Sequence, residues 1–318
     1  MGNKPYFSIL IPVYNQTGGK MDKCMDSLKN QTFDDYEVIF VDDGSNDGSY
    51  EMLSGFARGD THYRIYRHEK NSSLLAARFT GMEHASGDHI VFLDSDDYLS
   101  VDALEKLHLA FEKNDADVIR FGLVREPSGT VILPYRTEDP LQAVFEGIIP
   151  PAIWKNAYSA RVTGQVIQKA RPFYCNMGED TFMGCTLFSC ARSFDVIDDI
   201  LYHYLDGGMS SQSTSMSMEK FHKALNDVRL SGDNLIAFMD TNYPGLKEGA
   251  HKAARRMIRF VLYQYVIGEP DEEKAKAFIE EFNSEEDMDV YRFGYDRVLA
   301  QRERVLKGEK ADFDFRLI

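Results

Sequence analysis

The feature that most limits the fold is a rhythm in the first third of the chain, where short apolar runs alternate with amphipathic segments. Tyr6–Ile11, Glu37–Val41, Tyr63–Tyr66, His89–Leu93 and Val118–Leu123 each have the length and apolar content of a buried strand. Between them, Met21, Cys24, Met25 and Leu28 recur at the i, i+3, i+4, i+7 spacing of one helix face. Leu104, Leu107 and Phe111 repeat that spacing behind Ser100, a suitable cap, with Asp102 in the first turn. Such alternation predicts an α/β fold whose parallel sheet is covered on both faces. Ligands of these sheets bind beyond the carboxyl ends of the strands, so the residues after each run are the ones to inspect.

Three runs are followed by polar groups: Pro12-Val13-Tyr14-Asn15, Asp42-Asp43-Gly44-Ser45 and Asp94-Ser95-Asp96-Asp97. Two of these are paired carboxylates directly behind apolar strands. Carboxylate oxygens are hard ligands that suit Mg²⁺ or Mn²⁺, cations that also bind substrate phosphates. Each acidic segment also has a plainer reading, Asp42–Asp47 as turn chemistry and Asp94–Asp97 as a solvated turn capping the next helix. The net charge of −15 disfavours nucleic acid and anionic membrane as main partners, because both need clustered Lys and Arg.

Taken with their spacing, Ser8–Asn15, Val41–Asp47 and Phe92–Asp97 resemble the family-2 glycosyltransferases. The resemblance is dense over roughly the first 110 residues, about one compact domain. It resumes at Met177-Gly178-Glu179-Asp180 and faintly at Tyr202-His203-Tyr204. It implies the glycosyltransferase-A fold, a Rossmann-like nucleotide-diphospho-sugar transferase architecture. The catalytic domain would be 1–217, with a nucleotide-sugar-binding half (1–115) and an acceptor and catalytic half (116–217), followed by a helical C-terminal region, 218–318. The implied activity is inverting, metal-dependent transfer of a sugar from a nucleotide-sugar, a UDP-sugar, to an acceptor hydroxyl. The family's commonest setting is bacterial surface polysaccharide or glycolipid synthesis.

The resemblance also implies roles. Asp96 would bind the Mn²⁺ or Mg²⁺ that bridges the donor phosphates. Asp94 and Ser95 would lie on the donor, with Asp94 at the ribose or the metal's water shell and Asp97 as a buttress. Asp43 would accept from uracil N3–H, flanked by backbone near Pro12 and Val13. Asn71 and Arg78 match a motif that contacts base and diphosphate, while Ser73 and Phe79 replace its usual Gly and Asn. A Gly there tolerates positive φ and Ser does not, so a displaced loop is expected. Asp180 would start a helix and act as general base, with Glu179 at a loop or an acceptor hydroxyl. Trp154 belongs either to the core or against an acceptor sugar. His203 is either a structural histidine or an additional metal ligand.

Rival readings are a sugar-phosphate nucleotidyltransferase, a non-catalytic UDP-sugar-binding module and a phosphatase built on Asp94-x-Asp96. The segment Tyr14–Lys20 is too loose a match for the first, intact Asp94, Asp96 and Asp180 argue against the second, and the motif follows a late strand for the third. Cys24, Cys175, Cys185 and Cys190 form no C-x-x-C pair, so a zinc site is not expected. Further on come a hairpin at Pro127–Gly129, a Pro150-Pro151 break and a Gly- and Ser-rich loop at 207–217 suited to closing over the donor. From Met218 the pattern is helical. There Lys252, Arg255, Arg256 and Arg259 interleave with apolar residues, which suits packing on the catalytic domain, membrane docking or a homodimer interface. No run reaches the roughly 18 apolar residues of a membrane span. Met1–Tyr6 lacks the pattern of a signal peptide, and Tyr6 stands where a myristoylation motif has Ser or Thr. A cytoplasmic protein is expected, at most peripheral at the inner face of the membrane.

Overall fold

A computed structural model describes residues 4–206, 217–267, 269–285 and 302–308. In chain order the elements are β1 (Phe7–Val13), α1 (Asp22–Lys29), β2 (Tyr36–Asp42), α2 (Ser49–Phe56), β3 (Tyr63–Arg67), α3 (Leu74–His84), β4 (His89–Phe92), β5 (Tyr98–Leu99), α4 (Ala103–Lys113), β6 (Val118–Glu126), β7 (Thr130–Ile132), α5 (Pro140–Phe145), β8 (Asn156–Ser159), α6 (Ala160–Lys169), α7 (Glu179–Cys190), β9 (Phe194–Leu205), α8 (Met218–Asn242), α9 (Lys247–Ile267) and α10 (Glu272–Glu285). The five expected strands are all present, with ends shifted by up to three residues. The hairpin at Pro127–Gly129 joins β6 to β7. The expected loop at 207–217 lies, but for Ser217, outside the described residues; Ser217 caps α8 by accepting from Lys220 N at 3.3 Å.

The strands form one sheet in the order β3-β2-β1-β4-β8-β6-β9-β5, with β7 beside β6. The expected parallel pairing holds for β3-β2-β1-β4 and for β6-β9. It fails at β8, which runs antiparallel between β4 and β6 and makes the sheet mixed. All seven residues of β1 and of β2 are buried, as expected of strands with cover on both faces. Met21 before α1, Cys24 and Leu28 of α1 and Leu104, Leu107 and Phe111 of α4 pack with Ile9, Ile11, Val38 and Phe40 into one core. On the other face α3 approaches so closely that a Cβ on Gly81 would touch Leu10 at 3.4 Å.

At the amino end of these strands Glu37 is a buried brace. Its Oε1 accepts from Ser8 Oγ (2.6 Å), Ser86 N (2.7 Å) and Ser86 Oγ (2.8 Å), and its Oε2 pairs with Arg64. Burial would raise this carboxyl's pKa, but the bonds from Ser8 and Ser86 and the Arg64 charge outweigh it and hold the group below its usual range.

The chain divides into two compact units, one of Met1–Pro140, Ala152–Tyr174 and Met183–Gln212, the other of Leu141–Pro151, Cys175–Phe182 and Ser213–Ile318. The second unit has its own core, in which Phe221, Leu225 and Val228 of α8 meet Met257 and Val261 of α9 and Phe278 and Phe282 of α10. A Cβ on Gly232 of α8 would lie 2.8 Å from Ala254 Cβ, so the α8–α9 crossing depends on the missing side chain. Cations of α9 are engaged inside this unit. Arg256 donates to the Val144 and Phe145 carbonyls, and Lys252 pairs with Glu146 at 2.9 Å. Among the described residues no helix is long and apolar enough to cross a membrane.

Candidate functional site

In the first unit, β1, β2 and β4 deliver their carboxyl ends to one edge. Val13 stands opposite Asp42 and Leu10 opposite Phe92, and the next residues continue the pairing: Asp43 N donates to Val13 O (2.8 Å) and Leu93 N to Leu10 O (3.0 Å). The acidic segments therefore leave the sheet beside each other.

Asp43, expected to face a base, is 3% exposed and already holds three donors. Its Oδ1 accepts from Ser72 N (2.8 Å) and pairs with His68 Nδ1 (2.7 Å), while Oδ2 accepts from Ser73 N (2.9 Å). The carboxylate thus ties the β2 turn to the 68–73 loop. Gly44 makes the approach feasible: its φ is +71°, and a Cβ would lie 2.6 Å from Lys70 C. Ser73 itself takes the positive φ expected of the glycine it replaces. It adopts φ +90°, ψ 157°, a region almost reserved for glycine, and is held there by Asp43. The Asn71 side-chain oxygen is buried in this loop with no hydrogen-bond partner. Asp42 is fully buried; neither oxygen makes a hydrogen bond, and Arg67 Nε forms an ion pair with it at 3.1 Å.

The Asp94–Asp97 turn is held from both sides. Arg78, 2% exposed on α3, donates to Asp94 Oδ1 at 3.0 Å. Asp94 N donates to Tyr202 Oη (3.3 Å), Tyr202 donates onward to Asp97 Oδ2 (2.7 Å), and Leu205 N donates to Asp97 Oδ1 (2.8 Å). Burial and the Asp94 charge push the Asp97 carboxyl up to about 8, despite these bonds. Asp97 is thus an interior buttress on β9. Asp94 and Asp96 are half-buried, and Ser95 between them is buried.

His203 sits on β9 against β5. Ser100 Oγ donates to Ile200 O (2.9 Å) and pairs with His203 Nε2 at 3.1 Å. Glu126 accepts at Nδ1 (3.1 Å), and the ring stacks on Tyr98 at 4.3 Å. Both ring nitrogens thus have partners within the sheet. Among the described residues no group of three or more His, Cys, Asp or Glu side chains is arranged to hold a metal ion. The donor chemistry present, two half-buried carboxylates on one turn, fits the other mode, in which one or two carboxylates share a hard cation with substrate phosphates.

Trp154 lies 4.8 Å from Tyr202 and stacks on Tyr204 at 5.6 Å, between core and surface. Lys155 beside it is 8% exposed; burial, then the neighbouring Arg120 charge, push it down to about 8. Pro12 and Val13 are buried in β1. Glu179 and Asp180 belong to the second unit, where they form the half-buried first turn of α7. Gly178 before them has φ +87°, and a Cβ would meet Met257 Sδ at 3.0 Å and Ser231 Oγ at 3.1 Å. Asn176 N bonds Asp227 (3.0 Å) and Ser231 Oγ bonds Met177 O (3.3 Å), which fixes this turn on α8. Sequence reasoning passed over Tyr202 as a buttress and His68 as a partner of Asp43. Their only signal was a polar or aromatic residue close to a strand end.

A mixed α/β sheet with polar turns gathered at its carboxyl edge, as seen here, is the architecture of nucleotide-sugar enzymes of the glycosyltransferase-A type. The profile described as Glycosyl transferase family 2 matches residues 8–173, just over half of the chain, and the chain belongs to that family. It is 37% identical over 215 residues to the uncharacterized glycosyltransferase EpsJ of Bacillus subtilis, covering 63% of this chain and 61% of EpsJ. The chain therefore spans less than two thirds of that relative's length. Among solved structures, S. aureus TarS 1-349 in complex with UDP-GlcNAc superposes with a TM-score of 0.61 at 19% identity, over 97% of this chain and 93% of TarS 1-349. The mannosyltransferase PcManGT from Pyrobaculum calidifontis, in complex with GDP-Man and Mn²⁺, does so with a TM-score of 0.55 at 14% identity, over 99% and 85%. These likenesses establish the glycosyltransferase-A fold.

Proposed function

We propose that the protein is an inverting glycosyltransferase that moves a sugar from a UDP-sugar to an acceptor hydroxyl. The observation that carries this reading is the Asp94–Asp97 turn. With Asp97 locked inside by Tyr202 and Leu205, the turn holds its other two carboxylates, Asp94 and Asp96, partly open at the strand edge where such folds bind ligands. A Mn²⁺ or Mg²⁺ held by Asp96 beside Asp94 would supply charge neutralisation on the departing diphosphate.

The rest of the work falls to the chain's own groups. Arg78 fixes Asp94 and adds positive charge at the diphosphate side. Asn71 offers a buried oxygen without a partner, suited to the N3–H of uracil, while Asp43 holds the loop that presents it. Asp180, at the start of α7, takes the acceptor proton as the acceptor oxygen attacks the anomeric carbon from the face opposite the leaving UDP. The acceptor belongs to bacterial surface polysaccharide or glycolipid assembly.

The test is calorimetry with UDP and GDP, with and without Mn²⁺, followed by a screen of UDP-sugars for turnover. UDP should bind more tightly than GDP and only weakly after EDTA, and Asp96→Ala should remove the Mn²⁺ dependence. Equal affinity for the two nucleotides would move the base contact away from Asn71. Full turnover in EDTA would remove the metal from the reaction.

A further inference from the structure

Beside the Asp94–Asp97 turn, on the side away from β1–β3, the first unit has a groove of about 180 Å³ lined by Leu123, Arg125, Ile132, Trp154 and Tyr204. The register explains it. On β6, Leu123 stands opposite Ile132 of β7 and Tyr202 of β9, and Arg125 stands opposite Tyr204. Trp154 lies across both β9 tyrosines. The result is an aromatic and aliphatic bed whose rim is charged. The Arg125 guanidinium sits 5.4 Å over the Tyr204 ring, and its Nε donates to Asp206 Oδ1 at 2.9 Å. Ile132 is 39% exposed, so the bed opens to solvent.

We infer that this groove seats one pyranose ring of the acceptor, and this rests on the transfer reading above. Three observations choose the occupant. The volume is well under the roughly 300 Å³ of a pocket for a drug-sized ligand, so it holds a single ring. A pyranose has an apolar C–H face and a rim of hydroxyls, which matches aromatic faces bordered by a guanidinium and a carboxylate. The position selects the acceptor over the donor. In the sheet, β4 precedes the acidic turn, with β1–β2–β3 and the Asn71 loop on one side and β8–β6–β9 on the other. Tyr202 joins the groove to the turn: its ring lies against Trp154, while its hydroxyl bonds Asp97 and Asp94 N. A ring bound on Trp154 therefore lies one tyrosine away from the carboxylates proposed to hold the donor.

Trp154 is the only tryptophan, so its fluorescence reports directly on the groove. The full chain, saturated with UDP and MnCl₂, would be titrated with methyl β-glucoside, methyl β-galactoside and the methyl β-glycoside of N-acetylglucosamine. At least one should give a saturable change in emission. Tyr204→Leu, and Ile132→Glu at its exposed position, should weaken that midpoint about three- to tenfold, the range expected for one aromatic face. UDP affinity in both variants should stay within twofold, and melting curves would confirm that they fold. No saturable change with any glycoside, or equal midpoints in wild type and both variants, would overturn the inference. So would a change produced by UDP-glucose alone and not by UDP, which would give the groove to the donor sugar. Failure of UDP itself to bind would sink the transfer reading instead, and the glycoside titration without nucleotide would still decide whether the groove takes a sugar.

Discussion

Ser73 gives the sharpest energetic test, because a serine occupies a backbone state that glycine would adopt without strain. Its φ of +90° and ψ of 157° place it where non-glycine residues cost about 1–3 kcal/mol. Two comparisons separate that strain from the hydroxyl, which makes a long bond to Phe173 O at 3.4 Å. Ser73→Ala loses the bond and keeps the strain, so it should melt slightly below wild type. Ser73→Gly loses the same bond and sheds the strain, and in exchange its unfolded chain gains about 0.5–1 kcal/mol of entropy. The bond cancels between the two variants. Glycine should therefore be more stable than alanine by roughly 0.5–2 kcal/mol, the reverse of the order at an ordinary position. At about 2–4 °C per kcal/mol for chains near this size, the gap should be visible in thermal melts run side by side. An alanine variant that melts above the glycine variant would refute the strained-loop account, and with it the role given to Asp43 in holding Ser73.

Gly44→Ala should cost about 2–4 kcal/mol, from the left-handed φ plus the clash with Lys70, and should weaken UDP binding because the Asn71 loop must move; unchanged melting and affinity would contradict that. Glu37→Gln should lower stability near pH 7 by about 1–3 kcal/mol. Because the folded Glu37 pKa is depressed, its contribution exists above the unfolded value and is lost as pH falls through the folded one. Urea curves should therefore show wild type and variant converging on acidification, and a pH-independent gap would count against the brace. Asp180→Asn should leave UDP affinity intact and reduce transfer by about 10²–10⁴-fold. Proton NMR of the wild-type product should show inverted anomeric configuration, and retention would exclude single displacement.

The strands of the first third were legible because β1 and β2 are buried on both faces and read as unbroken apolar runs. The antiparallel β8 was not legible. Its four residues, Asn156–Ser159, begin and end in polar side chains, and strand direction depends on connections that periodicity does not encode. β9 was hidden for another reason: Asp195, Asp198 and Asp199 dilute the alternation of a strand that is mostly half-buried, leaving only Tyr202–Tyr204 as a hint. At the site, residue types were readable but commitments were not. Asp43 and His203 have side chains suited to ligands, yet they also bond groups 25 to 103 positions away, which spacing along the chain does not reveal. The Trp154 groove was beyond reach because it needs the β6–β7 hairpin, β9 and the segment before β8 at once.

The structure therefore sorts the acids of the two motifs by what their oxygens already do. Asp42 is fully buried against Arg67, Asp43 is bound to a loop, and Asp97 is bound to Tyr202 and Leu205. Losing Asp43 or Asp97 would leave buried donors unmatched, and losing Asp42 would break its ion pair with Arg67, so their effects should appear first in stability. Asp94 and Asp96 are only half-buried, and Asp94 is the partner of the buried Arg78 guanidinium. A chain with a net charge of −15 has acids to spare on its surface, so acidity alone does not mark a cation site. What marks Asp94 and Asp96 is that a rigid turn, held by Arg78 on one side and by Tyr202 on the other, keeps two like charges together at a strand edge. In the proposed reading a bound cation would offset the repulsion that remains beside the Arg78–Asp94 ion pair.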